Sequence, residues 1–116
     1  MKIYLKEIGW MRIKYNKFYY NPLPKEVYLQ KSNIDGHGIF ASQNLDGNFE
    51  IGATHIKVPM VQGFIRTPLG GFVNHSDNPN CVLQITRDWD DYTVYSLFTI
   101  QPIKKNVELV LTYGES

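Results

Sequence analysis

The sequence is short of cysteine, of long apolar runs and of helical periodicity, and each shortage excludes something. One cysteine, Cys81, cannot close an intramolecular disulfide, and the scattered His37, His55 and His75 have no zinc-like spacing, so no metal is expected. The longest stretch without Asp, Glu, Lys or Arg runs from Tyr92 to Ile103, only 12 residues with Ser, Thr and Gln among them. A bilayer span needs about 20 apolar residues, so no membrane partner is expected. Lys2, Lys6, Arg12, Lys14 and Lys17 interrupt the N-terminal segment, no signal-peptide core forms there, and a cytoplasmic protein is expected. No long stretch holds a 3.6-residue period without an intervening Gly or Pro, which argues against a helical fold.

What is present is enough for one core. Of 116 residues 43% are hydrophobic, with 8 Tyr, 6 Phe and 2 Trp, a composition that folds without disulfides and leaves no room for a second domain. The net charge of +1 is unevenly placed. Residues 1–31 carry seven Lys or Arg against Glu7 and Glu26, and the remainder is net negative. An acidic body repels phosphate and attracts a cationic ligand such as a lysine-bearing peptide, so nucleic acid is not the expected partner.

Residues 1–24 alternate charge with aromatic and aliphatic residues and end in Asn21-Pro22-Leu23-Pro24, where two prolines break regular pairing. This segment is expected to be an arm for oligomerisation or substrate contact, with the folded domain over 25–116. From Val27 the pattern turns to short strands with period two. Val27 to Gln30 and Ile39 to Ala41 flank a turn through Asp35-Gly36-His37-Gly38, and Cys81 to Thr86 and Tyr92 to Ile100 flank an acidic loop over 87–91. The last segment places Val107, Leu109, Leu111 and Tyr113 on one strand face. A mainly β domain with short helical turns is expected.

Several residues invite chemistry one at a time. Gly36-His37-Gly38 is a tight turn in the plain reading, and in the functional one a bare backbone against which a ligand can lie. His37 and His55 read singly as turn or strand-edge residues. Cys81, His75 and Asp77 suggest a thiol nucleophile with a base, although a packed cysteine is the better reading. Asn74-His75-Ser76 matches a glycosylation sequon, which matters only in a secreted protein.

The order of segments adds more. Asn33-Ile34-Asp35-Gly36-His37-Gly38-Ile39-Phe40-Ala41, then Gly71-Phe72-Val73-Asn74-His75-Ser76-Asp77-Asn78-Pro79-Asn80-Cys81, then Glu108-Leu109-Val110-Leu111-Thr112-Tyr113-Gly114, with 100–107 before the last, resemble in order the motifs of the SET domain family. The resemblance runs from about Val27 to Gly114. It implies a β-clip-like fold of several small curved sheets in which the C-terminal segment threads under a loop as a pseudoknot, joining the second and third motifs. Family members are mostly protein-lysine N-methyltransferases that use S-adenosylmethionine, and the resemblance implies that activity and cofactor here, with a lysine-containing protein or peptide as substrate.

Position by position, the resemblance brings the backbone of Gly36, His37 and Gly38 to the cofactor's methionine part. It assigns Asn74 and the His75 backbone to its amino-acid and adenine portions, and Phe72 to the pocket lining. Tyr113 matches the catalytic tyrosine, and His55 and Glu115 fall at substrate-channel positions. Departures are visible. Gly71 stands where a large residue is usual, Asn106 where a glycine is usual, and Asp77 where many members have a zinc-cluster cysteine. Only 15 residues separate His55 from Gly71, where the family inserts a helical subdomain. So reduced a chain resembles free-standing viral or bacterial members, for which a homodimer is expected. The alternative is a non-catalytic SET-like module that binds a basic peptide or nucleic acid.

Overall fold

Strand β1 (Val27–Lys31) turns back through Ser32–Gly36 into β2 (His37–Ala41), and the two pair antiparallel from Val27↔Ala41 to Lys31↔His37. The turn closes because the Ser32 N–H donates to the Gly36 carbonyl at 2.7 Å and the Ile34 N–H donates to the Ser32 hydroxyl at 2.9 Å. Gly36 sits at φ +46°, a left-handed conformation that side chains disfavour. The computed structural model describes residues 22–60 and 62–112. Residues 1–21 of the expected arm, together with Tyr113 and Glu115, lie outside the described residues.

The chain continues through β3 (Glu50–Lys57), β4 (Ile65–Arg66), a short helix α1 (Pro68–Phe72), β5 (Asn74–His75), β6 (Cys81–Asp88), β7 (Thr93–Thr99) and β8 (Glu108–Leu111). Two four-stranded sheets result, ordered β1-β2-β8-β5 and β4-β3-β7-β6. The described fold is therefore mainly β, as expected, with a single five-residue helix among the described residues. Thr67 caps that helix by accepting from the Gly70 N–H, and Pro68 supplies a preset φ at its first turn.

β3 escapes a period-two reading. Gly52 and Ala53 are weak strand formers, and register shifts at Glu50/Gly52 and Ala53/His55 disrupt its alternation while bending the sheet. The acidic loop is shorter than expected. Arg87 and Asp88 join β6, Thr93 donates its hydroxyl to the Asp88 carboxylate at 3.0 Å, and reciprocal Trp89 and Tyr92 backbone bonds leave only Asp90-Asp91 at the tip.

One core joins the two sheets. Ile39, Leu97 and Leu109 are fully buried, with Leu69 from α1 and Cys81 from β6 beside them. Each such aliphatic side chain contributes about 1.5–3 kcal/mol relative to exposure. β8 departs from the one-face expectation, since Val110 is buried as well as Leu109 and Leu111, while Val107 is 43% exposed. Pairing with β2 and β5 occupies both edges of β8, and β6 of the other sheet also lies against it, so side chains pointing to either face are covered.

Candidate functional site

β8 gathers the distant segments. It pairs antiparallel with β2 through Ile39↔Leu109 and Phe40↔Glu108, and parallel with β5 through Asn74↔Val110 and His75↔Leu111. The loop after β5 is tied along the same strand. The Ser76 N–H donates to the Leu111 carbonyl, and the Thr112 hydroxyl donates to the Ser76 carbonyl. The buried Asn80 works as a surrogate strand: its Nδ2 donates to the Glu108 carbonyl and its Oδ1 accepts from the Val110 N–H, each at 2.9 Å. The second and third motifs, remote in sequence, thus lie side by side.

The first motif meets them through Asn74. Its Nδ2 donates to Glu108 Oε2 at 2.9 Å, to the Asp35 carbonyl at 3.1 Å and more weakly to the His37 carbonyl at 3.5 Å. A carboxylate and two carbonyls only accept, so chemistry fixes the amide's orientation. Glu108 also accepts from the Ser32 hydroxyl at 2.8 and 3.0 Å. Asn74 Oδ1 has no hydrogen-bond donor among the described residues.

Gly36 and Gly38 serve different ends, since only Gly36 lies in the turn and Gly38, expected there too, is a buried residue of β2 paired with Gln30. Gly36 provides the left-handed bend, with open space where a Cβ would be. At Gly38 a Cβ would fall on Glu108 Oε2 and 3.1 Å from Asn74 Nδ2, so the bared space there holds the protein's own carboxylate. The β2–β8 pairing covers only Ile39 and Phe40 and leaves the His37–Gly38 end of that edge outside it.

The other candidate residues are placed separately. Phe72 ends α1 and is 42% exposed. The His75 ring lies 3.1 Å from Asp77 Oδ1. His55 sits on the other sheet, opposite Arg66 and Tyr95, with its Nδ1 2.9 Å from the Thr54 hydroxyl and its ring edge-on to Phe64. Burial, and then the Arg66 guanidinium, hold the His55 pKa below its ordinary value. A connection to Asn74 runs through α1, where the missing side chain of Gly70 lets the helix rest on the Thr54 carbonyl. Cys81 is buried and its thiol is pushed up to about 12, which removes it as a nucleophile. No cluster able to hold a metal occurs among the described residues.

Two contributors had no role assigned from sequence, Glu108 and Asn80. Both lay within the motif segments, and an acid opening an otherwise apolar strand was a usable signal for Glu108. Asn106 is explained by its backbone: at φ 72° it occupies the left-handed region, which asparagine tolerates better than most residues and where glycine is natural.

Comparison with known proteins bears on the fold and the family. The chain's fold is similar to a crystal structure of a Plasmodium falciparum protein assigned as a histone methyltransferase, with a TM-score of 0.63 and 22% identity over 81% of this chain and 97% of that one. It is also similar to a chain of an apo ctPRC2 complex carrying two mutations in Ezh2, with a TM-score of 0.63 and 19% identity over 78% of this chain but 15% of that one. No curated protein sequence matches the chain. The family model of the SET domain matches residues 6–114, and the chain belongs to the SET domain family.

Proposed function

We propose that the chain transfers a methyl group from S-adenosylmethionine to the side-chain amine of a lysine in a protein substrate. The observation that carries the reading is the convergence of Asn74, Glu108 and the Gly36–Gly38 segment, which are distant in sequence, at the end of one strand pairing. The residues fit such a cofactor. The Asn74 amide hydrogens are committed within the protein while its Oδ1 remains an acceptor, suited to an ammonium or an exocyclic amine. The backbone of His37, an exposed residue, the His75 backbone and Phe72 are the proposed remaining contacts. When bound, the cofactor supplies an electrophilic methyl group on a positively charged sulfur.

The protein's tasks follow from the chemistry of the amine. A lysine of pKa near 10.4 must lose its proton before attack, which costs about 4.6 kcal/mol at pH 7. Burial in an aromatic channel lowers that cost, because it disfavours the charged form. In this reading His55 and Glu115 line the channel: the edge-on series His55, Phe64, Tyr95, with centroids 5.6 Å apart at each step, supplies its aromatic wall, while the Glu115 carboxylate attracts the incoming ammonium and opposes its deprotonation. Tyr113, next after Thr112, orients the neutral nitrogen through its hydroxyl oxygen. The acidic balance of the body favours basic peptides as substrates. The reading extends to a homodimer joined through residues 1–24 and acting in the cytoplasm. Among the described residues no helix is long and apolar enough to cross a membrane.

The test is methyl transfer from labelled S-adenosylmethionine into a protein extract, with Tyr113→Phe beside the wild type. Transfer by the wild type, and its loss in a variant that still binds the cofactor, is the expected result. Equal transfer by Tyr113→Phe overturns the role given to that residue, and no transfer by the wild type overturns the proposal.

A further inference from the structure

Away from this junction, a cavity of about 200 Å³ opens at the tip of the β6–β7 hairpin, between residues 57–59 that follow the body of β3 and residues 89–93 of the tip. Its walls combine two aromatic rings with two carboxylates. Trp89 and Tyr92 are locked as a hydrogen-bonded cross-strand pair, Trp89 N–H to Tyr92 carbonyl at 2.9 Å and the reverse at 3.3 Å, with ring centroids 5.3 Å apart at 70°. Trp89 is 58% exposed, an unusual position for a tryptophan that only fills space. Asp90 and Asp91 form the two-residue turn, and neither has an ion pair among the described residues. The one cation of the wall, Lys57, has its ammonium 5.7 Å from the centroid of Phe64, a residue outside the cavity.

Rigid π faces beside unpaired carboxylates in a small concavity suit a cation with an apolar stem, and suit an anion or a neutral amide poorly. The Trp89 ring already draws such a group within the chain, since the Arg87 guanidinium lies 5.8 Å from its centroid. We propose that the hairpin-tip cavity is a binding subsite for the alkylammonium side chain of a partner polypeptide, a lysine or its methylated form. The inference concerns binding only and stands independently of methyl transfer at the Asn74 junction.

The experiment is a nuclear magnetic resonance titration of the full chain with three capped tripeptides whose central residue is lysine, trimethyllysine or glutamine, following the Trp89 indole and the 90–93 amides. Saturable shifts confined to the tip with either cationic peptide, and none with the glutamine peptide, are expected. The stronger of the two cationic peptides identifies the preferred form. The double variant Asp90→Asn, Asp91→Asn, read at the same amides, weakens binding about fivefold or more, and Trp89→Ala abolishes it while signals elsewhere hold their positions. Equal response to the glutamine peptide, no saturable response to either cationic one, or unchanged affinity in the double variant overturns the proposal. Trp89→Ala also leaves cofactor binding unchanged, which separates this failure from failure of the methyltransferase reading.

Discussion

The two sheets share a plan, a local hairpin joined to strands distant in sequence, and differ in what ties the distant strands together. In the β4-β3-β7-β6 sheet the long pairing of β6 with β7 is local, closed by a two-residue turn and fixed by strand pattern. In the β1-β2-β8-β5 sheet strands far apart in sequence meet, and polar side chains complete what short strands leave undone. Asn80 extends the β8 edge, and Asn74 binds the glycine turn to Glu108. A pairing completed by side chains specifies position more tightly than one carried mainly by backbone bonds, at the risk that each lost partner leaves a buried polar group unpaired. The candidate site lies in the sheet completed in this way.

The contrast can be broken first at Asn80. Asn80→Ala strips partners from the Val110 N–H and the Glu108 carbonyl, and it is expected to cost about 3 kcal/mol in denaturant unfolding. Thr93→Ala in the hairpin removes a solvent-exposed hydroxyl contact to the Asp88 carboxylate and is expected to cost under about 1 kcal/mol. Comparable losses would erase the distinction between the sheets.

Next in size is Gly38→Ala, which displaces the end of Glu108 and with it the bond to Asn74. About 1–3 kcal/mol of stability should be lost, together with cofactor affinity. Gly71→Ala provides the opposite sign. It has nothing within 4 Å of its would-be Cβ and lies in α1, so calorimetric melting should show a gain of up to about 1 kcal/mol.

The smallest effect is a titration. His55 should titrate below 6.5 in proton resonance spectra, and Arg66→Gln should move it back upward by removing the lesser of its two causes. With the folded value depressed, the unfolded chain binds the proton more readily below pH 6.5. The His55 contribution is therefore complete above that pH and declines as pH falls toward the folded value.

Much of this architecture was legible beforehand, for identifiable reasons. β1, β2 and the β6–β7 hairpin announced themselves through β-branched and aromatic runs around Gly and Asp turns. β3 did not, because Gly52 and its bulges hide the alternation. The site was legible only through the order of motifs, since no periodicity states that Asn74 and Glu108 will touch. The use of Gly38 as room for Glu108 needed the assembled strands, because the carboxylate arrives from 70 positions along the chain.

The central claim is that the Asn74–Glu108–glycine junction seats the methyl donor. Calorimetric titration of S-adenosylmethionine into the wild type and Asn74→Ala tests it most directly. Saturable binding by the wild type, weakened about tenfold or more in Asn74→Ala while the variant stays folded, is the predicted result. Absent binding to the wild type, or the same affinity in both, would contradict the account.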